Sequence, residues 1–224
     1  AVAARHLFDA IDASPAGDGD VAALTTRAVT LMATAADRAG SLGSFAEALD
    51  LYRSAIAHSD DPAFRAELSA RAADAATTAA DYQSAEALSG DAIAFFDATG
   101  DVERAAVVAA THGRAVFRQG HRDAALAAMR PRYEALRDVE GTEAARLALG
   151  HMLVGVLTFT TDTPDPELAQ LVHEQLRWAE QVHDDRALLR AMHGLARFEM
   201  VGGSVRVAEV VMREVAELAE QVGD

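Results

Sequence analysis

Gly43-Ser44-Phe45-Ala46-Glu47-Ala48-Leu49-Asp50-Leu51-Tyr52-Arg53-Ser54-Ala55-Ile56-Ala57 is the stretch whose reading decides the fold. Gly43 marks a turn and Ser44 stands where a helix cap belongs. Glu47, three residues on, is placed to reach back to the N–H of that cap. Phe45, Ala48, Leu49, Tyr52, Ala55 and Ile56 then recur at steps of three and four, which puts them on one face of a helix. Such a face needs a partner helix to cover it.

Working outward, the same grammar returns. Residues 21–39 form the helix before Gly43, closed by Gly40. Asp61-Pro62 caps a new helix with proline at its first position, and Asp165-Pro166 does so again. Helices are predicted at 62–80, 82–98, 101–118, 121–138, 142–159, 166–182, 185–201 and 204–222, with glycine-bearing turns between most of them. Pro131 removes a backbone donor inside one of these and predicts a kink. A small residue on the second helix of each pair falls at Ala48, Ala85, Ala125, Ala169 and Ala208, at spacings of 37, 40, 44 and 39 residues. Two helices per period of this length mark an α-solenoid, in which each unit buries its face against its neighbours. The domain plan is a leading helix over 1–12 left from a preceding repeat, a linker over 13–20, and a helical repeat domain over 21–224. Asp12 to Asp20 is acidic, but it is too short for a calcium loop and lacks the closing Glu.

Composition agrees with an all-helical chain of 224 residues. Half of them are hydrophobic, only 5 % are aromatic, and alanine dominates. The net charge of −15 repels phosphate backbones and anionic lipid, so neither nucleic acid nor membrane is expected as a direct partner. There is no cysteine, hence no disulfide, thiolate nucleophile or cysteine-bound zinc. All 20 basic residues are arginine, which removes P-loop and Schiff-base lysines. His173-Glu174 lacks a second histidine at the metalloprotease spacing, and Arg177 stands there instead. No cofactor, metal or catalytic constellation is read, and the expectation is a non-enzymatic protein. The chain begins at Ala1 with no signal-peptide pattern, which reads as a segment of a longer cytoplasmic polypeptide.

Gly43-Ser44-Phe45-Ala46-Glu47-Ala48 with Tyr52 and Ala55 resembles the second-helix half of the tetratricopeptide repeat (TPR) family. Asp81-Tyr82-Gln83-Ser84-Ala85, Gly120-His121-Arg122-Asp123-Ala124-Ala125 and Gly203-Ser204-Val205-Arg206-Val207-Ala208 repeat that core. Ala36, Ala73, Gly113 and Ala196 match the small residues where paired helices cross, and Met32 and Met192 stand at the usual Trp slot. The resemblance implies an all-α, right-handed superhelix of about five helix pairs, built from long, degenerate repeats of the type found in large bacterial regulators. It implies a protein-interaction segment of a signalling or transcriptional regulator. The alternative is a ligand-sensing superhelix that encloses a small molecule or signal peptide.

In the resembled family, first helices line the inner groove, and the residue after each crossing residue meets the ligand. That slot here holds Asp37, Asp74, Arg114, His151 (placed through Gly150) and Arg197, with Arg118, Arg190 and His193 about one turn away. Arg190, His193 and Arg197 share one helix face. The groove is therefore expected to be acidic near its start and basic from Arg114 onward, suited to an acidic peptide or a small anion. The bland alternative is that these arginines balance neighbouring acids such as Glu199 and Asp185. The apolar last helix, with Val207, Val210, Val211, Val215 and Leu218, makes a homodimer an expectation as well.

Overall fold

The computed structural model describes residues 6–7, 21–137, 139–159 and 166–222. Ten α-helices and no strand occur among them: α1 (Val21–Ser41), α2 (Phe45–His58), α3 (Pro62–Thr78), α4 (Tyr82–Thr99), α5 (Val102–Arg118), α6 (Arg122–Ala135), α7 (Glu143–Thr158), α8 (Pro166–Val182), α9 (Asp185–Val201) and α10 (Val205–Val222). His6 and Leu7 are helical, and the rest of the expected leading helix and linker lies outside the described residues. No helix among the described residues is long and apolar enough to cross a membrane.

The chain divides into two compact units, residues 1–120 and 121–224. In the first, α1 packs on α2, α2 on α3, α3 on α4 and α4 on α5, with α3 also touching α5. In the second, α6 packs on α7, α7 on α8, α8 on α9 and α9 on α10, with α7 also touching α9. Within each unit every helix thus meets its neighbours in sequence, and the first helices α3 and α5, and α7 and α9, meet each other. The unit boundary falls at Gly120, between the two helices expected to form the third pair.

Small side chains make this close packing feasible. Ala36, Ala72, Ala73, Ala85, Ala105, Ala125 and Ala196 are fully buried. Larger residues fill what remains: Leu68 in unit 1 and Met129, Leu149 and Leu168 in unit 2 expose essentially nothing. Truncating any of these to alanine costs about 2–5 kcal/mol through lost transfer energy and a residual cavity. Of the five tracked alanines, Ala48, Ala85, Ala125 and Ala208 are buried. Ala169 is only half-buried, because the phase of α8 gives the fully buried position to Leu168. Helix α6 runs through Pro131, which has no N–H to offer the Ala127 carbonyl.

The tight turns share one design. The N–H of Ser44 donates to the Ala39 carbonyl at 2.9 Å, that of Asp81 to Ala76 at 2.9 Å, that of Asp101 to Phe96 at 2.9 Å and that of Ser204 to Glu199 at 2.8 Å. Each turn needs one left-handed residue just before the donor, and Gly43, Gly100 and Gly203 supply it with φ of 75–81°. This geometry corrects the expected capping box. The Ser44 N–H already has its partner in Ala39, so Glu47 has nothing to reach back to, and the Ser44 side chain makes no cap bond. Asp61 caps as expected, accepting from Ala63 and Phe64, and Asp101 (from Arg104) and Asp184 (from Arg186 and Ala187) cap as well. The other expected cap, Asp165, lies outside the described residues.

Ala80 occupies the same left-handed position with φ 61° but carries a Cβ. Replacing it should relieve about 1 kcal/mol of that strain, offset in part by the greater freedom of glycine in the unfolded chain. Ala80→Gly is therefore expected to raise the urea midpoint. Gly100→Ala, whose Cβ meets open space but whose φ is 75°, should lower it. Urea titrations of the two variants should move in opposite directions.

Candidate functional site

The residues after the crossing positions emerge on the surfaces of the first helices. Ala36, Ala73, Gly113, Gly150 and Ala196 are buried. Asp37, Asp74, Arg114 and His151 are exposed, and Arg197 is half-exposed. The slot taken from the resemblance therefore selects accessible side chains in both units.

In unit 1 the acids are already engaged. Asp37 accepts a hydrogen bond from the Tyr52 hydroxyl and pairs with Arg71 at 3.4 Å. Burial, with the Asp37 carboxylate adding to it, raises the Tyr52 phenol well above its ordinary range, so it stays a neutral donor. Asp74 accepts from the Thr111 hydroxyl at 2.6 Å. Arg71 also meets Glu67 at 3.7 Å, and Glu67 meets Arg104 at 2.8 Å. Glu67, Arg71, Asp74, Arg104 and Thr111 rim a groove of about 360 Å³ between α3 and α5, floored by Ala70, Phe96 and Val108. Arg118 donates from Nε to the Tyr82 hydroxyl at 3.0 Å and lies 5.4 Å from the centre of that ring. Arg114 makes no ion pair among the described residues.

Unit 2 is different. Arg190, His193 and Arg197 project from one face of α9, and Arg190 shares the lining of a small hollow with His151. Neither Arg190 nor Arg197 joins any ion pair among the described residues, so Glu199 and Asp185 do not neutralise them. The Arg197 guanidinium stacks 3.8 Å from the centre of the Phe159 ring, and burial there pulls its pKa down. Residues 160–165, in the connection that follows Phe159, lie outside the described residues.

A buried polar cluster in unit 2 was not anticipated. Tyr133, Arg146, Glu174 and Gln175 are all less than 8 % exposed. The Tyr133 hydroxyl donates to Glu174 at 3.0 Å, and Arg146 bonds the Arg137 carbonyl at 2.6 Å and Glu143 at 3.1 Å. The Arg146 guanidinium sits 4.4 Å from the Trp178 ring centre, which makes that tryptophan a packing residue. Gln175 lies against Gly150, where an added Cβ would fall 1.9 Å from its Nε2. The unit 1 partners Arg71, Glu67, Arg104 and Thr111 were also missed. One signal was available: Glu67–Arg104, Asp74–Thr111 and Arg130–Glu167 are each 37 residues apart and join corresponding helices of successive repeats. No group of three or more His, Asp or Glu among the described residues is placed to hold a metal ion.

No protein-family model matches the chain, and neither does any curated protein. Solved structures do. BtubC (BKLC) from P. vanneervenii is 15% identical over 99% of this chain and 90% of its own, with a TM-score of 0.69. The kinesin light chain nearly identical TPR-like repeats of Podosopora anserina match at 20% identity over 86% of this chain and 96% of theirs, with a TM-score of 0.58. A substituted form of the same repeats reaches 0.66 at 17% identity, over 87% of this chain and 96% of its own. The fold is that of a TPR-like α-solenoid. Within this TPR-like fold, glycine at a crossing position gives room for a neighbour's side chain, and Gly150 does so for Gln175.

Gly150→Ala should therefore displace the Gln175 amide from its buried position and destabilise the protein by about 1–3 kcal/mol. Adding Gln175→Ala to that variant should recover part of the loss. A double-mutant cycle read by urea denaturation measures the coupling, which would be near zero if the two residues did not compete for space.

Proposed function

We propose that this chain is a non-catalytic protein-interaction module that receives an acidic peptide segment on the α9 face formed by Arg190, His193 and Arg197, with His151 beside it. The observation that carries this reading is the absence of a counter-ion for Arg190 and Arg197 among the described residues, in a chain with a net charge of −15. Arg53, Arg71, Arg104 and Arg130 are matched by Asp81, Asp37, Glu67 and Glu167. Other arginines such as Arg114 and Arg177 also join no ion pair among the described residues, but Arg190 and Arg197 stand together on one helix face. Guanidinium groups left free in so acidic a chain are available to carboxylates from outside. The stacking of Arg197 on Phe159 holds its planar fork in one orientation, which favours a bidentate contact.

TPR-like repeats generally mediate protein–protein contacts, and that supports a binding role over a catalytic one. In unit 1, by contrast, Asp37 is held by Tyr52 and Arg71 and Asp74 by Thr111, so neither offers free charge. Arg114 and Arg118 extend the basic character of α5 within that unit. On this reading the module serves a larger cytoplasmic regulator and binds neither nucleic acid nor lipid directly. Of the apolar residues expected on α10, Val211 and Val215 are buried against Leu189 and Ala196, which leaves Val205, Val207 and Val210 as the exposed surface on which self-association would occur.

The test is fluorescence anisotropy with a labelled peptide of alternating Glu and Leu, compared with neutral and Arg-rich counterparts. The native protein should prefer the acidic peptide, and raising the salt should weaken it. Arg190→Glu with Arg197→Glu should lower its affinity about tenfold or more, since each exposed charge contact contributes up to about 1 kcal/mol and reversal makes it repulsive. Equal binding by native and variant proteins, or no preference for the acidic peptide, would overturn the assignment.

A further inference from the structure

A second hollow in unit 2 lies away from the α9 face, between the second helices α6 and α8. Its volume is about 50 Å³. In this measure one water takes about 10–15 Å³, so the space suits about three to five waters, or a ligand of five or six non-hydrogen atoms. Helix α7 contributes Leu153 and Leu157 to its wall and α8 contributes Leu171, all nearly fully buried.

Two charged groups in this lining lack part of what burial requires. Glu174 is only 7 % exposed. Its Oε2 accepts from the Tyr133 hydroxyl at 3.0 Å and its Oε1 from Gln170 Nε2 at 2.9 Å, yet no cation pairs with it among the described residues. A carboxylate taken from water without a counter-ion is costly unless something positive meets it. Arg130 presents the opposite case. Its NH2 meets Glu167 at 3.1 Å, while its Nε is shielded from solvent and has no acceptor. The Arg137 guanidinium, at the same hollow, also has no acceptor among the described residues.

A lone ammonium ion would meet Glu174 but be repelled by two guanidinium groups. A lone anion would satisfy the arginines but be repelled by Glu174 and Glu134. One small molecule that carries both charges answers both deficits. We propose that this hollow binds a small free α-amino acid, alanine or glycine, with its ammonium on the Glu174 carboxylate and its carboxylate on Arg130 Nε and the Arg137 guanidinium. The three leucines leave room for a methyl group but not for a long side chain. Tyr133 and Gln170 are positioning residues here, because they hold the carboxylate of Glu174 in place. The site shares no residue with the α9 basic face, so either assignment can fail without the other.

Trp178 is the only tryptophan in the chain, and its ring centre lies 5.9 Å from that of Tyr133, which makes it a reporter of the site. Titration of the native protein with L-alanine or glycine should give a saturable change in Trp178 emission and an upward thermal shift by mass action. N-acetylalanine, which lacks the ammonium, and alaninamide, which lacks the carboxylate, should each bind at least about tenfold more weakly, as expected when a charge-assisted hydrogen bond is lost. Glu174→Gln and Arg137→Ala should each weaken alanine by a similar factor. Arg137 is exposed, so that variant keeps its fold even where Glu174→Gln does not. No saturable response up to about 50 mM alanine, a generous limit for so small a ligand, would overturn the proposal. Equal responses to alanine and both blocked analogues would overturn it as well.

Discussion

One backbone hydrogen bond, from the N–H of a residue that opens a helix to a carbonyl five residues earlier, organises the tight turns of this protein. It ends one helix and begins the next in a single step, and it requires a left-handed residue just ahead of the donor. Once that bond forms, the following helix can only fold back against its predecessor. The faces of the two helices are then fixed relative to each other, and with them the small residues that must meet where they cross. The same bond consumes the N–H that a capping box would need. Ser44 therefore opens α2 without any help from its own side chain.

Most of the helical plan could be read from residues that act locally. Asp61-Pro62, Gly100-Asp101 and Gly203-Ser204 each impose their geometry on three or four neighbours, so no distant contact is needed to locate them. The described helix ends fall within about three residues of those expected, an ordinary margin for frayed termini. What escaped depends on tertiary packing. Ala80 shows no glycine, yet it adopts φ 61° because the helices on either side of it require the turn. Ala169 fits the repeat pattern in one dimension, but Leu168 takes the buried position because the rotation of α8 is set by the helices it packs against. Nothing local marks Gly120 as a boundary between compact units either.

The candidate sites were legible to a lesser degree. Position after a small crossing residue was enough to find Asp37, Asp74, Arg114, His151 and Arg197 as accessible groups. It could not say which of them were already neutralised, since that depends on side chains a full repeat away. Asp37 and Arg190 look alike in sequence as charged residues on amphipathic helices. Only the folded chain separates the first, held by Tyr52 and Arg71, from the second, which has no partner among the described residues. The Glu174 network was harder still to anticipate, because Tyr133 and Gln175 stand 42 residues apart and converge only because α6 and α8 both pack on α7.

The polar bonds that join corresponding helices of successive repeats carry a consequence for how such a chain can change over time. Glu67 in one repeat is matched by Arg104 in the next, Asp74 by Thr111, and Arg130 by Glu167. Each repeat thus holds half of a lock whose other half is encoded in its neighbour. A repeat copied or excised as a block would leave mismatched halves on both sides, even though its helices would still stack. The order of the repeats is therefore written into the chain, and a lineage that shuffles them must rewrite the junctions as well.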